Sequence, residues 1–142
     1  MVIKRESITE RLKELDSILQ ELHRHDEWTL PDLQHDLSQR WILERGLIAA
    51  ASLILDIADH ILSGEFGLYA PSYEESLQIL HEKHVISAAL YEQIKGLGRF
   101  RNVLVHLYQD IDIRQVWDGW QRGQTAFPLF IQEILKWLES YT

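Results

Sequence analysis

Between residues 98 and 112 the chain reads GRFRNVLVHLYQDID, which places Arg99, Arg101, Asn102, His106 and Tyr108 within ten consecutive positions. A histidine with its ordinary pKa of ~6.5 can accept or return a proton near neutrality. A guanidinium is a planar fork of donors that matches phosphate oxygens and can hold the charge that builds on them during a reaction. Asparagine can orient the imidazole or a substrate. Together these types permit cleavage of an RNA strand without a metal. The histidine would take the proton of a ribose 2′-hydroxyl or give one to the leaving oxygen, while the arginine steadies the phosphate. From Lys95 to Tyr108 there are three cations, Lys95, Arg99 and Arg101, and no acid. A phosphate fits such a stretch.

Helical spacing constrains how these groups could meet. At ~100° per residue, Phe100, Val103, Leu104, Leu107 and Ile111 share one arc, expected to face the core, with Asn102 nearly opposite and Arg99, Asn102 and His106 along one polar stripe. Arg101 and His106 are roughly 140° apart around the axis. That is too far for a direct pair on a regular helix. Two copies of the chain meeting about a two-fold axis would bring both polar faces into one cleft.

The elements that would carry this helix are legible as helices throughout. The chain has 142 residues, 46% of them apolar and 25% charged, with three prolines and seven glycines. This is the make-up of one compact, all-α domain spanning residues 1–142. Ser7 with Glu10 reads as a capping box opening a first helix, whose stripe is Ile8, Leu12, Leu15, Leu19 and Leu22. Thr29 and Pro31 start a second helix, expected to run to about Leu62 with Gly64 ending it; it is apolar on nearly all sides after Trp41. Ser72 with Glu75 caps a third and Ser87 a fourth, running from Ala88 to about Asp110 with Gly96 and Gly98 inside it. Asp112 and then Thr125 with Pro128 are expected to open two more. The expectation is an up-down bundle of five to six helices.

The formal net charge is −8, which opposes polyanion binding except where cations gather locally. There are no cysteines, so thiolate chemistry and disulfides are excluded. The apolar stretch from Leu47 to Leu62 is interrupted by Ser52, Asp56, Asp59 and His60, which marks a buried helix rather than a membrane span. The N-terminus lacks the apolar run of a signal peptide, so a cytoplasmic location is expected. His81 and His84 lack a third placed ligand, and His23, His25, Asp26 and His35 fit no zinc spacing. No metal and no cofactor are expected. Trp41, Trp117, Trp120 and Trp137 are expected to fill the core or a subunit interface.

RNVLVHLY resembles the R-N-x-x-x-H-x-Y signature of the HEPN superfamily, and with YAPSYEESLQIL before it the chain is similar to HepT toxins, which are encoded beside minimal nucleotidyltransferases. The similarity extends from about Ile8 to Leu138. It implies a homodimeric, HEPN-like ribonuclease toxin in which Arg101 and His106 carry out cleavage and Asn102 supports them, with Arg99 and Lys95 on the RNA side. It also implies a cognate nucleotidyltransferase antitoxin that modifies Tyr108 with AMP. An adenylyl group there adds bulk and a negative phosphodiester beside the cleft, which would repel RNA. The competing reading is a non-catalytic module that presents a substrate or nucleotide to a nucleotidyltransferase, which suits the acidic chain.

Overall fold

The computed structural model describes residues 4–106 and 112–140. They form seven helices and, among the described residues, no strand: α1 (Arg5–His23), α2 (Leu30–His35), α3 (Leu37–Phe66), α4 (Tyr73–Glu82), α5 (Ala88–Ile94), α6 (Leu97–Val105) and α7 (Ile113–Ser140). The all-α bundle expected from periodicity is what forms. The helices differ from expectation in where they break.

The axis of the bundle is α3. It touches α1, α2, α4, α6 and α7, and Leu47, Ala50, Ala51, Ile54, Ile57 and Ile61 keep no exposed surface. By length and composition it could also cross a membrane, but half of its most apolar window is enclosed by the other helices. From Leu43 to Leu62 its leucine and isoleucine side chains enter or pack against the core, a cluster that also takes the inner stripes of α1 and α7.

Several boundaries depart from the sequence reading, each for a physical reason. The first helix opens at Arg5 with no side-chain cap, and Ser7 lies within its first turn in contact with Arg11. The Arg5 guanidinium donates to the Leu138 carbonyl at 2.8 Å, so a tertiary bond to the end of α7 fixes this turn instead of the capping box. The long second helix is interrupted at Asp36, whose backbone is extended and whose Oδ1 accepts the Gln39 N–H at 3.1 Å. Asp36 thus caps α3. That helix passes Gly64 and ends at Gly67, which takes the left-handed conformation (φ 62°) open to glycine.

The two helices expected after Asp112 are one. A proline inside a helix costs about 3 kcal/mol, yet α7 runs straight through Pro128. Its buried stripe, Val116, Trp120, Phe127, Phe130, Ile134 and Leu138, keeps its spacing on both sides of the proline. Burial of those side chains, at about 1.5–3 kcal/mol each, outweighs the break. Of the tryptophans, Trp120 is buried, and Trp28, Trp117 and Trp137 are half-buried against the core. Trp41 stands 60% exposed on α3.

At Gly46 of α3 a Cβ would collide with the Leu22 side chain of α1. Gly46→Val is expected to lower the unfolding free energy by about 1–3 kcal/mol through overpacking, read as a shifted urea midpoint with unchanged slope.

Candidate active site

The helix bearing the motif is shorter than its sequence implies. After α5 the chain turns at Gly96, which has φ 92°, a conformation that favours glycine. The described part of the helix expected from Ala88 to Asp110 is therefore two helices, α5 and α6, and its expected end at Asp110 lies outside the described residues. The start of α6 is held by a residue from another element. Glu74, in the first turn of α4, accepts the N–H of Gly96 at 2.9 Å with Oε2 and that of Gly98 at 2.6 Å with Oε1. A carboxylate so placed satisfies N–H groups that have no helical partner and complements the positive end of the helix dipole. Gly98 is needed for the fit, since a Cβ there would lie 3.0 Å from both Glu74 Oε1 and Tyr73 Cβ. The α4 helix is itself tied to α3 by Ser76 Oγ, which donates to Asp59 Oδ1 at 2.5 Å.

These bonds decide how α6 is rotated, and the rotation differs from the apolar arc read in sequence. The buried residues are Leu97, Gly98 and Leu104, whereas Phe100 is half-buried and Val103 is 47% exposed. Leu107 and Ile111 lie outside the described residues. Arg101 falls between Leu97 and Leu104 on the inward stripe, four residues after the first and three before the second. It is half-buried there, with Nε donating to Ser52 Oγ of α3 at 3.2 Å, Nη1 donating to Asn102 Oδ1 at 3.4 Å, and the guanidinium 5.6 Å from the centre of the Tyr73 ring. Backed on one side by an aromatic ring and bonded through Nε, its orientation is set.

Lys95, Arg99, Asn102 and His106 are exposed. His106 caps the C-terminal end of α6, its N–H donating to the Asn102 carbonyl at 3.1 Å. Tyr108 lies outside the described residues. Arg99 and Lys95 border a groove between α6 and α7, on the side away from Ser52. Lys95 Nζ is 2.6 Å from Glu92 Oε2, and this hydrogen bond, with the carboxylate's charge, raises the lysine pKa above its usual value. The structure thus brings Arg101 and Asn102 together and carries Arg99 and Lys95 to another face. Among the described residues no three His, Asp or Glu side chains gather as a metal site would require.

The family model of HepT-like ribonucleases matches residues 6–134. The chain belongs to the HepT-like ribonuclease family. A relative in Aphanizomenon flos-aquae, named a tRNA nuclease HepT, is 30% identical over 132 residues, covering 92% of this chain and 89% of its own. Among solved structures, the Bacillus subtilis protein YutE, described as cytosolic and of unknown function, superposes with a TM-score of 0.82 at 25% identity, over 99% of this chain and 94% of its own. A tri-AMPylated HEPN toxin of Shewanella oneidensis, in complex with its MNT antitoxin, superposes with a TM-score of 0.80 over 91% of this chain and 96% of its own. At 20% identity it testifies to the fold. The HEPN-like architecture inferred from RNVLVHLY is thereby shown for this HepT-like chain.

Sequence reading missed Glu74, Ser52 and Tyr73. Their contacts to α6 span between 22 and 49 positions in the chain, and no local pattern announces such contacts. The capping box before α4 marks Glu75, not its neighbour, and Gly96 and Gly98 pointed to a bend or a close helix contact without naming the partner. Glu74→Ala is expected to lower stability by about 1.5–3 kcal/mol and to speed amide hydrogen exchange at Gly96 and Gly98. Glu74→Gln, which keeps one acceptor, should recover part of both.

Proposed function

We propose that this HepT-like chain is a ribonuclease toxin that cuts RNA through Arg101 and His106 without a metal. The observation that carries the reading is the fixed guanidinium of Arg101, held by Ser52 and Tyr73 beside an exposed Asn102 in a chain of a ribonuclease family. In the proposed reaction, the His106 imidazole accepts the proton of a ribose 2′-hydroxyl, and that oxygen attacks the neighbouring phosphorus. The bond from phosphorus to the 5′-oxygen breaks as that oxygen takes a proton from an imidazolium, leaving a 2′,3′-cyclic phosphate and a free 5′-hydroxyl. Arg101 balances the charge on the non-bridging oxygens. Asn102 holds the guanidinium and the local register.

The placement of the two principal groups favours a homodimer. Arg101 faces α3, and His106 follows it by roughly 140° around α6, so one subunit presents them to different sides. A second copy supplies the missing half of each site. The face that would accept it has apolar surface to cover, with Trp41 60% and Ile42 44% exposed on the part of α3 that leads to Ser52. Neutralisation by a nucleotidyltransferase that transfers AMP from ATP to the Tyr108 hydroxyl, releasing pyrophosphate, completes the reading. It draws on the AMPylated toxin and MNT antitoxin of the Shewanella complex. The binding-module alternative has the acidic net charge of −8 in its favour.

His106→Ala and Arg101→Ala should each slow RNA cleavage by about 10²-fold or more with the helical circular dichroism unchanged, and cleavage by the parent should persist in EDTA. Parental rates in both variants would exclude the mechanism and favour the binding module. Co-expressing the two inactive variants provides a sharper test. If each site takes Arg101 from one copy and His106 from the other, mixed dimers contain one intact site and regain activity; sites built within single subunits would leave them dead. Mass spectrometry of the protein made with a cognate nucleotidyltransferase should find adenylate on Tyr108, and none on Tyr108→Phe.

A further inference from the structure

The groove between α6 and α7 takes no part in the chemistry above. It encloses about 340 Å³. Phe100 and Phe127 make its floor, and Val103, exposed although apolar, stands on its α6 wall. On the opposite wall α7 carries glycine at 119 and 123, one turn apart, and the Phe100 and Phe127 rings occupy the space where side chains would stand. A Cβ at Gly119 would come within 2.5 Å of Phe100 Cζ, and one at Gly123 within 2.5 Å of Phe127 Cε2. Lys95, Arg99 and Arg122 border this apolar slot, against one acid, Asp118. In a chain of net charge −8 such a gathering of cations creates a local positive field. Lys95 is engaged by Glu92, which leaves the phosphate-matching forks to Arg99 and Arg122.

We propose that this groove is a subsite for a nucleotide flanking the scissile bond, its base lying over Phe100 and Val103 and its phosphate held by Arg99 and Arg122. The inference rests on the ribonuclease reading and extends it along the RNA strand. An apolar, aromatic floor is what a base face needs, whatever the base, and two guanidiniums at the border supply the phosphate contacts. The charge of the border favours a polyanion over an apolar protein helix. The direction is also set, because Arg99, Val103 and His106 lie within about 60° of one another around α6 and span about 10 Å along it. A strand seated in the groove therefore runs toward the imidazole.

The test uses the full-length protein and two probes, a cleavable single-stranded RNA and the same sequence made with deoxyribose, which lacks the attacking hydroxyl. Arg122→Ala is expected to weaken anisotropy-measured binding of the deoxy strand about five- to tenfold and to reduce the slope of log K against log salt by ~0.7, one phosphate contact on a single strand. KM for the RNA should rise more than kcat falls, and Arg122→Lys should restore the salt slope. Phe100→Leu should weaken binding about fivefold or more with little change in that slope. If Arg122→Ala and Phe100→Leu bind the strand like the parent while retaining its circular dichroism, the proposal is overturned. The same holds if they lose affinity only for the purified nucleotidyltransferase, which would make the groove a protein-docking site. Parental cleavage by His106→Ala would instead sink the ribonuclease reading, and the strand-binding measurement judges the groove separately.

Discussion

The rotation of α6 about its own axis is the constraint on which everything around the site depends. Nine residues of helix carry Arg101 and Asn102 and lead directly into His106, and turning such a helix by one residue's worth, ~100°, would move every one of these groups to another face. The carboxylate of Glu74 fixes the angle by accepting two N–H groups at the first turn, while Leu97 and Leu104 supply the apolar contact. Hydrogen bonds of this kind are directional where apolar burial is not. The Leu97 and Leu104 contacts hold the helix against the bundle, and Glu74 sets which way it faces.

The constraint is passed along a chain of polar contacts embedded in an apolar bundle. Asp59 on α3 holds Ser76 on α4, α4 presents Glu74 and Tyr73, and these receive α6 and back the guanidinium of Arg101. Ser52, two turns before Asp59 on α3, accepts from Arg101 directly. Both ends of this path start from α3, the most enclosed helix. An arginine on a solvated surface loses rotamer entropy when it meets a phosphate. One already aligned by Ser52 and Tyr73 loses less, which is the physical meaning of preorganisation for a guanidinium.

The charge distribution follows the same separation of roles. An acidic chain repels nucleic acid in general, so productive contact depends on where the few cations stand. Arg101 is turned inward on one side of α6, and Arg99 with Arg122 borders the groove on the other. The Lys95–Glu92 pair is local and exposed. The two sides of one short helix thus carry two different positive surfaces, one a single aligned guanidinium and the other a groove bordered by arginines.

The sequence by itself determined the helical class and most of the start signals, because caps at Thr29, Ser72 and Ser87 act within three or four residues and 3.6-residue periodicity is a local property. It also identified the motif residues, since Arg101, Asn102, His106 and Tyr108 sit in one short segment. Tertiary structure decided the rest. Whether Pro128 breaks a helix depended on an apolar stripe that packs on either side of it. Whether Val103 or Arg101 turns inward depended on a glutamate more than twenty residues away. Local signals say that a helix forms and near which residue it begins, but its orientation about its own axis is a balance among partners brought close only by folding, and that balance is where the site acquires its geometry.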